Sequence, residues 1–141
     1  MNYEMINLST NWVMVLVAAV AAMVLGYLWY SPILFGKEWM ELTGIKMGKG
    51  VTKKKMFIIF GFGFLAVVIT SFVLKQFIDL FYIVNLFDAV QLSFWIWFGF
   101  VATTLISGIL YEGKSWKLFV INSGYQLASI MLMAVILSYW A

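Results

Sequence analysis

Asn122, Gln126 and Ser129 stand four and three residues apart, so one face of a helix would carry two amides and a hydroxyl. Ser123 and Tyr125 lie among them, and Thr103, Thr104 and Ser107 add three more hydroxyls earlier in the chain. Groups of this kind could line a binding site or a passive path for a small polar solute. They could equally tie helices together by interhelical hydrogen bonds, worth about 0.6–2 kcal/mol each. Both readings stay open on the sequence.

The sharpest literal motif is Gly108-Ile109-Leu110-Tyr111-Glu112-Gly113-Lys114-Ser115, which fits the phosphate-loop pattern G-x-x-x-x-G-K-[ST]. That motif works when backbone amides between a strand and a helix cradle phosphates. Here Gly108 falls inside an apolar helical run, no strand precedes it, and the chain has no room for a nucleotide fold. A basic turn at the end of a helix is the expected structure, with no nucleotide partner.

Other chemistry is narrowed by what the chain lacks. It contains no cysteine and no histidine, which removes disulfides, thiol nucleophiles, imidazole bases and His/Cys metal sites. No ionisable residue lies near the middle of an apolar stretch, where a proton-coupled transporter would carry one. Asp79 and Asp88 read as helix-end or loop residues rather than a carboxylate pair. Glu38, Glu41 and Glu112 could serve a lipid-modifying enzyme, but nothing in the pattern positions them. Seven tryptophans and seven tyrosines could build an aromatic cage for a cation; most sit where they would anchor helices at headgroups. The expectation is no catalytic residue, no metal, no cofactor and no enzyme activity.

The elements that would position these residues are four apolar stretches: Val13–Tyr30, Met56–Leu74 or longer, Leu86–Tyr111 and Trp116–Tyr139. Hydrophobic residues make up 65% of the 141 and charged residues 11%, against about 25% charged in a soluble domain. About 20 apolar residues span a bilayer, so the chain reads as one all-α membrane domain of four transmembrane helices. A cleavable signal would open with a basic segment; Met1–Asn11 has only Glu4. Ala18, Ala22 and Gly26 form a smooth stripe at spacing four, as do Gly99, Thr103 and Ser107. Gly61, Gly63, Ala66 and Thr70 supply further small positions. In lipid, small residues let backbones approach and drive helices together, within one chain or between copies, and we expect a homo-oligomer. Trp12, Trp29, Tyr30, Trp39 and Trp116 sit at predicted interfaces. Ser31 as N-cap with Pro32 at the first helical position predicts a short interfacial helix over Pro32–Thr43, stopped by Gly44. Asn85 and Asp88 cap the third span, Gly113 turns into the fourth, and Lys75 and Asp79 pair if the second span runs on to Tyr82.

Eight of the nine lysines fall in the first and third loops: Lys37, Lys46, Lys49, Lys53, Lys54, Lys55, Lys114 and Lys117. The positive-inside rule then puts loops 31–55 and 111–117 in the cytoplasm and both termini outside, in a cell membrane. A net charge of +3 is better explained by topology and anionic lipid than by nucleic acid. Lys53, Lys54 and Lys55 are the expected lipid-facing basic residues. Gly36-Lys37-Glu38-Trp39 faintly echoes Gly113-Lys114-Ser115-Trp116, without aligned flanks.

Two blocks carry a resemblance. Asn11-Trp12 with the alanine-rich helix, then Gly26, Leu28-Trp29-Tyr30-Ser31-Pro32, Leu34-Phe35-Gly36-Lys37 and Trp39, resembles the start of the DUF1761 family. Phe98–Thr104, Glu112–Leu118 and Ile121-Asn122-Ser123-Gly124-Tyr125-Gln126 resemble its second half. The resemblance implies a small multi-spanning membrane protein and lends no activity and no catalytic residues. Two functional classes follow. One is a protein that binds or passively conducts a small solute through the polar face of the last two helices. The other is a non-catalytic structural or regulatory subunit that recognises a partner or anionic lipid.

Overall fold

The computed structural model describes residues 4–45, 50 and 52–139; Lys46 and Lys49 of the first loop lie outside the described residues. Five helices form. They are α1 (Trp12–Trp29), α2 (Gly36–Thr43), α3 (Lys53–Leu80), α4 (Leu86–Glu112) and α5 (Trp116–Tyr139). All but α2 are long and apolar enough to cross a membrane.

Local sequence sets most boundaries. The Asn11 side chain accepts from the Met14 N–H at 3.4 Å and starts α1. Thr52 accepts from Lys55 at 3.2 Å and starts α3. Asn85 accepts from Asp88 at 2.8 Å and starts α4, with its amide donating to the Asp88 carboxylate at 2.7 Å. An acid in that first turn also suits the positive end of the helix. Gly113 ends α4 in the left-handed region at φ 68°, and Gly44 ends α2 at φ 71°.

The interfacial helix starts later than Ser31-Pro32 predicts. Residues 31–35 form turns, and α2 begins at Gly36. The Ser31 hydroxyl donates back to the Leu28 carbonyl at 2.7 Å instead of capping forward. Its own carbonyl accepts from Leu34 at 3.1 Å and from Gly36 at 2.9 Å, closing a tight corner. A Cβ at Gly36 would lie 2.3 Å from the Tyr30 carbonyl oxygen, so this corner requires glycine. A second departure lies in α4, where residues Trp97–Ala102 widen into a π-helical turn.

α5 is the hub and packs against each of the other helices; α1 also packs along α3. The apolar core joins Met14, Ala18 and Ala22 of α1 to Leu74 and Ile78 of α3, Ala89 of α4 and Ile130, Met133 and Leu137 of α5. All of these but Ala22 lie toward the end opposite the lysine-bearing loops. There Ser71 donates across to the Val15 carbonyl at 2.9 Å, fixing α3 to α1. Toward the lysine-bearing end, α3 loses its neighbours: no residue between Lys53 and Thr70 is buried. Gly61, Gly63, Ala66 and Thr70 therefore make no close helix contact within the chain, because the two helices have already diverged at their level.

Candidate functional site

The densest polar and aromatic cluster joins α1, the corner after it and α5. Trp29 donates its indole N–H to the Ile121 carbonyl at 3.0 Å. The Tyr30 hydroxyl donates to Asn122 Oδ1 at 2.8 Å. The Tyr125 hydroxyl donates back to the Ala22 carbonyl at 3.3 Å. Rings of Trp29, Tyr30, Phe35, Trp39 and Tyr125 pack at centroid distances of 4.9–6.4 Å. Close approach makes these bonds possible. A Cβ at Gly26 would sit 2.8 Å from the Tyr125 hydroxyl, and one at Gly124 would sit 3.2 Å from the Trp29 ring. Ala18 and Ala22 of the same stripe are fully buried. From the other side, Trp97 donates to the Ser123 carbonyl at 2.8 Å. The segment Ile121–Tyr125 is thus gripped from two directions.

The hydroxyls of α4 point elsewhere. Thr103 and Thr104 donate to the carbonyls of Gly99 and Phe100 at 2.7 and 2.6 Å, and Ser107 donates to Thr104 at 2.7 Å. These bonds serve backbone carbonyls in and beside the π turn, where regular i→i−4 pairing is broken. All three residues are exposed, and a Cβ at Gly99 would meet nothing within 4 Å. No hydrogen bond joins this face to Asn122, Tyr125, Gln126 or Ser129. Ser129 is buried, Asn122 and Tyr125 face α1, and Gln126 is exposed. The Gln126 amide has no hydrogen-bond partner among the described residues. Ten residues separate it from Trp116 and thirteen from Tyr139, about 15 and 20 Å along an ideal helix. That is the middle of a helix long and apolar enough to cross a membrane.

The DUF1761 family, described as proteins of unknown function, matches the chain over residues 13–138. The chain belongs to the DUF1761 family. No curated protein and no solved structure matches it. The two resembling blocks, far apart in this DUF1761 sequence, meet in space: Trp29-Tyr30-Ser31-Pro32 lies against Ile121-Asn122-Ser123-Gly124-Tyr125. The resemblance marked both blocks but carried no signal of their contact.

Polar side chains gather at three other places in the DUF1761 chain. The phosphate-loop look-alike is a helix end: Lys114 N–H donates to the Gly108 carbonyl at 3.0 Å, and its ammonium pairs with Glu112 at 3.0 Å. Beside it, a cleft of about 50 Å³ between α4 and α5 touches Lys114, Ser115 and Asn122, room for one or two waters at about 30 Å³ each. At the far end, Lys75 pairs with Asp79. Lys75 is only 6% exposed, more deeply placed than a snorkelling surface pair would be. Next to it, Gln76 accepts the Asn7 N–H at 2.7 Å, and Gln76 Nε2 and Thr10 Oγ1 are buried without hydrogen-bond partners among the described residues. Among the described residues no three acidic side chains gather into a metal-sized cluster.

A wider hollow than this cleft is lateral and apolar. α1 and α3 part toward the lysine-bearing end and leave a trough of about 490 Å³. Val20, Val24 and Tyr27 line one wall and Phe57, Phe60 and Phe64 the other. Sequence reasoning missed it, because in a chain apolar on all faces nothing marks which apolar residues stay uncovered.

Proposed function

We propose that this protein is a non-catalytic membrane subunit that works by association within the bilayer, and that its partner is a second copy of itself. Gln126 carries the reading. An amide without a partner in an apolar medium costs about 2–7 kcal/mol, and this one is exposed at mid-span. Copies inserted in the same direction present Gln126 at the same depth. A primary amide both donates and accepts, so two of them related by a twofold axis along the membrane normal satisfy each other. The open stripe Gly99, Thr103 and Ser107 offers a second close-approach surface at the same level.

The solute-passage reading draws less support. The α4 hydroxyls already serve their own backbone, Asn122 and Tyr125 are engaged with α1, and the cleft beside Asn122, at about 50 Å³, has room for one or two waters only. The same proposal places loops 31–55 and 111–117 in the cytoplasm, because the lysines gather at one end of the bundle. A C-terminal reporter active only outside the cytoplasm should therefore work.

Because the chain has no cysteine, Gln126→Cys introduces the only thiol. It should form a disulfide dimer in native membranes under mild oxidation. Gln126→Leu should weaken association by about 1 kcal/mol, about five-fold, in single-molecule photobleaching, while Gln126→Asn retains most of it. Equal stoichiometry for Gln126→Leu and the unaltered chain would overturn the proposal.

A further inference from the structure

The apolar trough between α1 and α3 and the first turn of α3 form one continuous surface with two chemistries. Lys53 stands four residues before Phe57, and Phe60, Gly61 and Phe64 follow at helical spacing. The lysine and the trough wall therefore share a face of α3. From Lys53 to Phe64 is eleven residues, about 17 Å, close to half the roughly 30 Å thickness of the hydrocarbon. The trough wall itself, Phe57 to Phe64, runs seven residues, about 10 Å, and Lys53 one turn beyond it extends this face to about the depth of one leaflet, so the trough ends at positive charge.

That charge is unanswered among the described residues. Lys53, Lys54 and Lys55 are exposed, the first turn of α3 holds no acid, and the ion pairs among the described residues involve other lysines. Three ammonium groups at the positive end of a helix repel both one another and the helix dipole. An anion at this point relieves that repulsion, and the apolar trough above it accepts a hydrocarbon chain. Tyr27, 78% exposed on the α1 wall, brings a hydroxyl to the same end.

We propose that this trough is a binding site for one anionic phospholipid, its phosphate held by Lys53 and its neighbours and one acyl chain lying between α1 and α3. The complementarity is specific to an amphiphile. A polar solute would find no partner along the trough walls, and a neutral lipid would leave the lysines unanswered. The site lies on a different helix pair from Gln126, so lipid retention per chain is read independently of oligomeric state.

The test is native mass spectrometry of the full chain released from vesicles of equal phosphatidylglycerol and phosphatidylcholine. One phosphatidylglycerol per chain should survive activation that strips phosphatidylcholine, on monomer and oligomer alike. The variant Lys53→Gln/Lys54→Gln/Lys55→Gln should lose at least ten-fold of that retention, whereas Lys37→Gln, at the same end, should keep it. Gly61→Leu should reduce retention by filling the trough with every lysine in place, and Val24→Phe does the same from the opposite wall if that variant fails to fold. Equal retention of both lipids, full retention by the triple variant, or competition by glycerol phosphate as effective as by the intact lipid would each overturn the proposal. So would a trough sealed by a second copy, seen as lipid retained only on monomers.

Discussion

The two ends of this bundle hold together by different means. At the far end, Val15, Ala18, Ala19, Ile78, Ala89, Ala134 and Leu137 are fully buried, four helices meet, and Ser71 bridges α3 to α1. At the lysine-bearing end α1 and α5 stay clasped while α3 stands apart, with the trough between it and α1. The compositions of the two halves barely differ; both are rich in Phe, Ile, Leu and Val. What differs is where small residues and hydrogen-bonding groups fall. Lipid tails are as apolar as leucine, so apolar area alone joins nothing in a membrane. Small residues alone do not close helices either, since Gly61, Gly63 and Ala66 of α3 lie at the open end; the closed end adds to the alanines of α1 a donor that crosses to a carbonyl, Ser71 to Val15.

The largest expected effect tests the closed end. Lys75 is buried and Asp79 is half exposed. Asp79→Leu would leave a buried ammonium without its partner, at a cost of about 3 kcal/mol. Lys75→Met removes the buried charge and leaves a carboxylate that water can reach, so it should cost less than half as much. Reversible unfolding in mixed micelles, followed by helical circular dichroism, measures both. Equal costs would mean that Lys75 escapes to the headgroups and that the far end is looser than its packing suggests.

Next in size is the corner at the other end. At Gly36 an added methyl meets the Tyr30 carbonyl, and backbone cannot swing away as a side chain can. Gly36→Ala should therefore cost about 2–3 kcal/mol, the upper part of the overpacking range. Gly26→Ala meets the Tyr125 hydroxyl, a movable group, and should cost less. A reversed order in the same unfolding assay would show that the corner yields and the α1–α5 clasp does not.

The clasp itself sets a smaller scale. Tyr30→Phe and Asn122→Leu each remove one side of a 2.8 Å hydrogen bond. Their double-mutant cycle should give a coupling of about 0.6–1.7 kcal/mol, the range of interhelical bonds in membranes. A coupling near zero would mean that ring packing rather than hydrogen bonding joins the family's two blocks.

These contrasts also explain what the sequence revealed. Span positions were legible because length and hydropathy alone determine them: Val13–Tyr30 became Trp12–Trp29, and Trp116–Tyr139 did not change. The second helix, read as Met56–Leu74 or on to about Tyr82, runs Lys53–Leu80, starting early because the Thr52 cap carries the lysines into its first turn. Asn85 and Gly113 were legible because caps are local chemistry. Partners were not. The side of α5 that bears Asn122 was visible as a polar face, but nothing in the pattern said that Tyr30, rather than Thr103 or Ser107, would answer it. Soluble helices announce their buried face through amphipathicity; these helices are apolar all round, so that signal is missing. The π turn at Trp97–Ala102 was equally hidden, since Thr103 and Thr104 read as candidate site hydroxyls rather than as donors to their own helix.

The smallest expected effect is the most discriminating for the open end. A methyl at Gly61 or Gly63 meets nothing within 4 Å. Glycine within a helix costs about 0.5–1 kcal/mol relative to alanine, so Gly61→Ala and Gly63→Ala should stabilise the isolated chain by about that amount. A helix from another copy packed on this face would reverse the sign, because close backbone contact tolerates no added methyl. Comparing the two variants in dilute micelles, where chains are separated, with densely loaded vesicles, where they meet, separates the cases. Stabilisation in both settings leaves the face to lipid. Stabilisation in micelles with destabilisation in vesicles would assign it to a neighbouring helix, and the splayed end would then be the half of an interface that one chain alone cannot close.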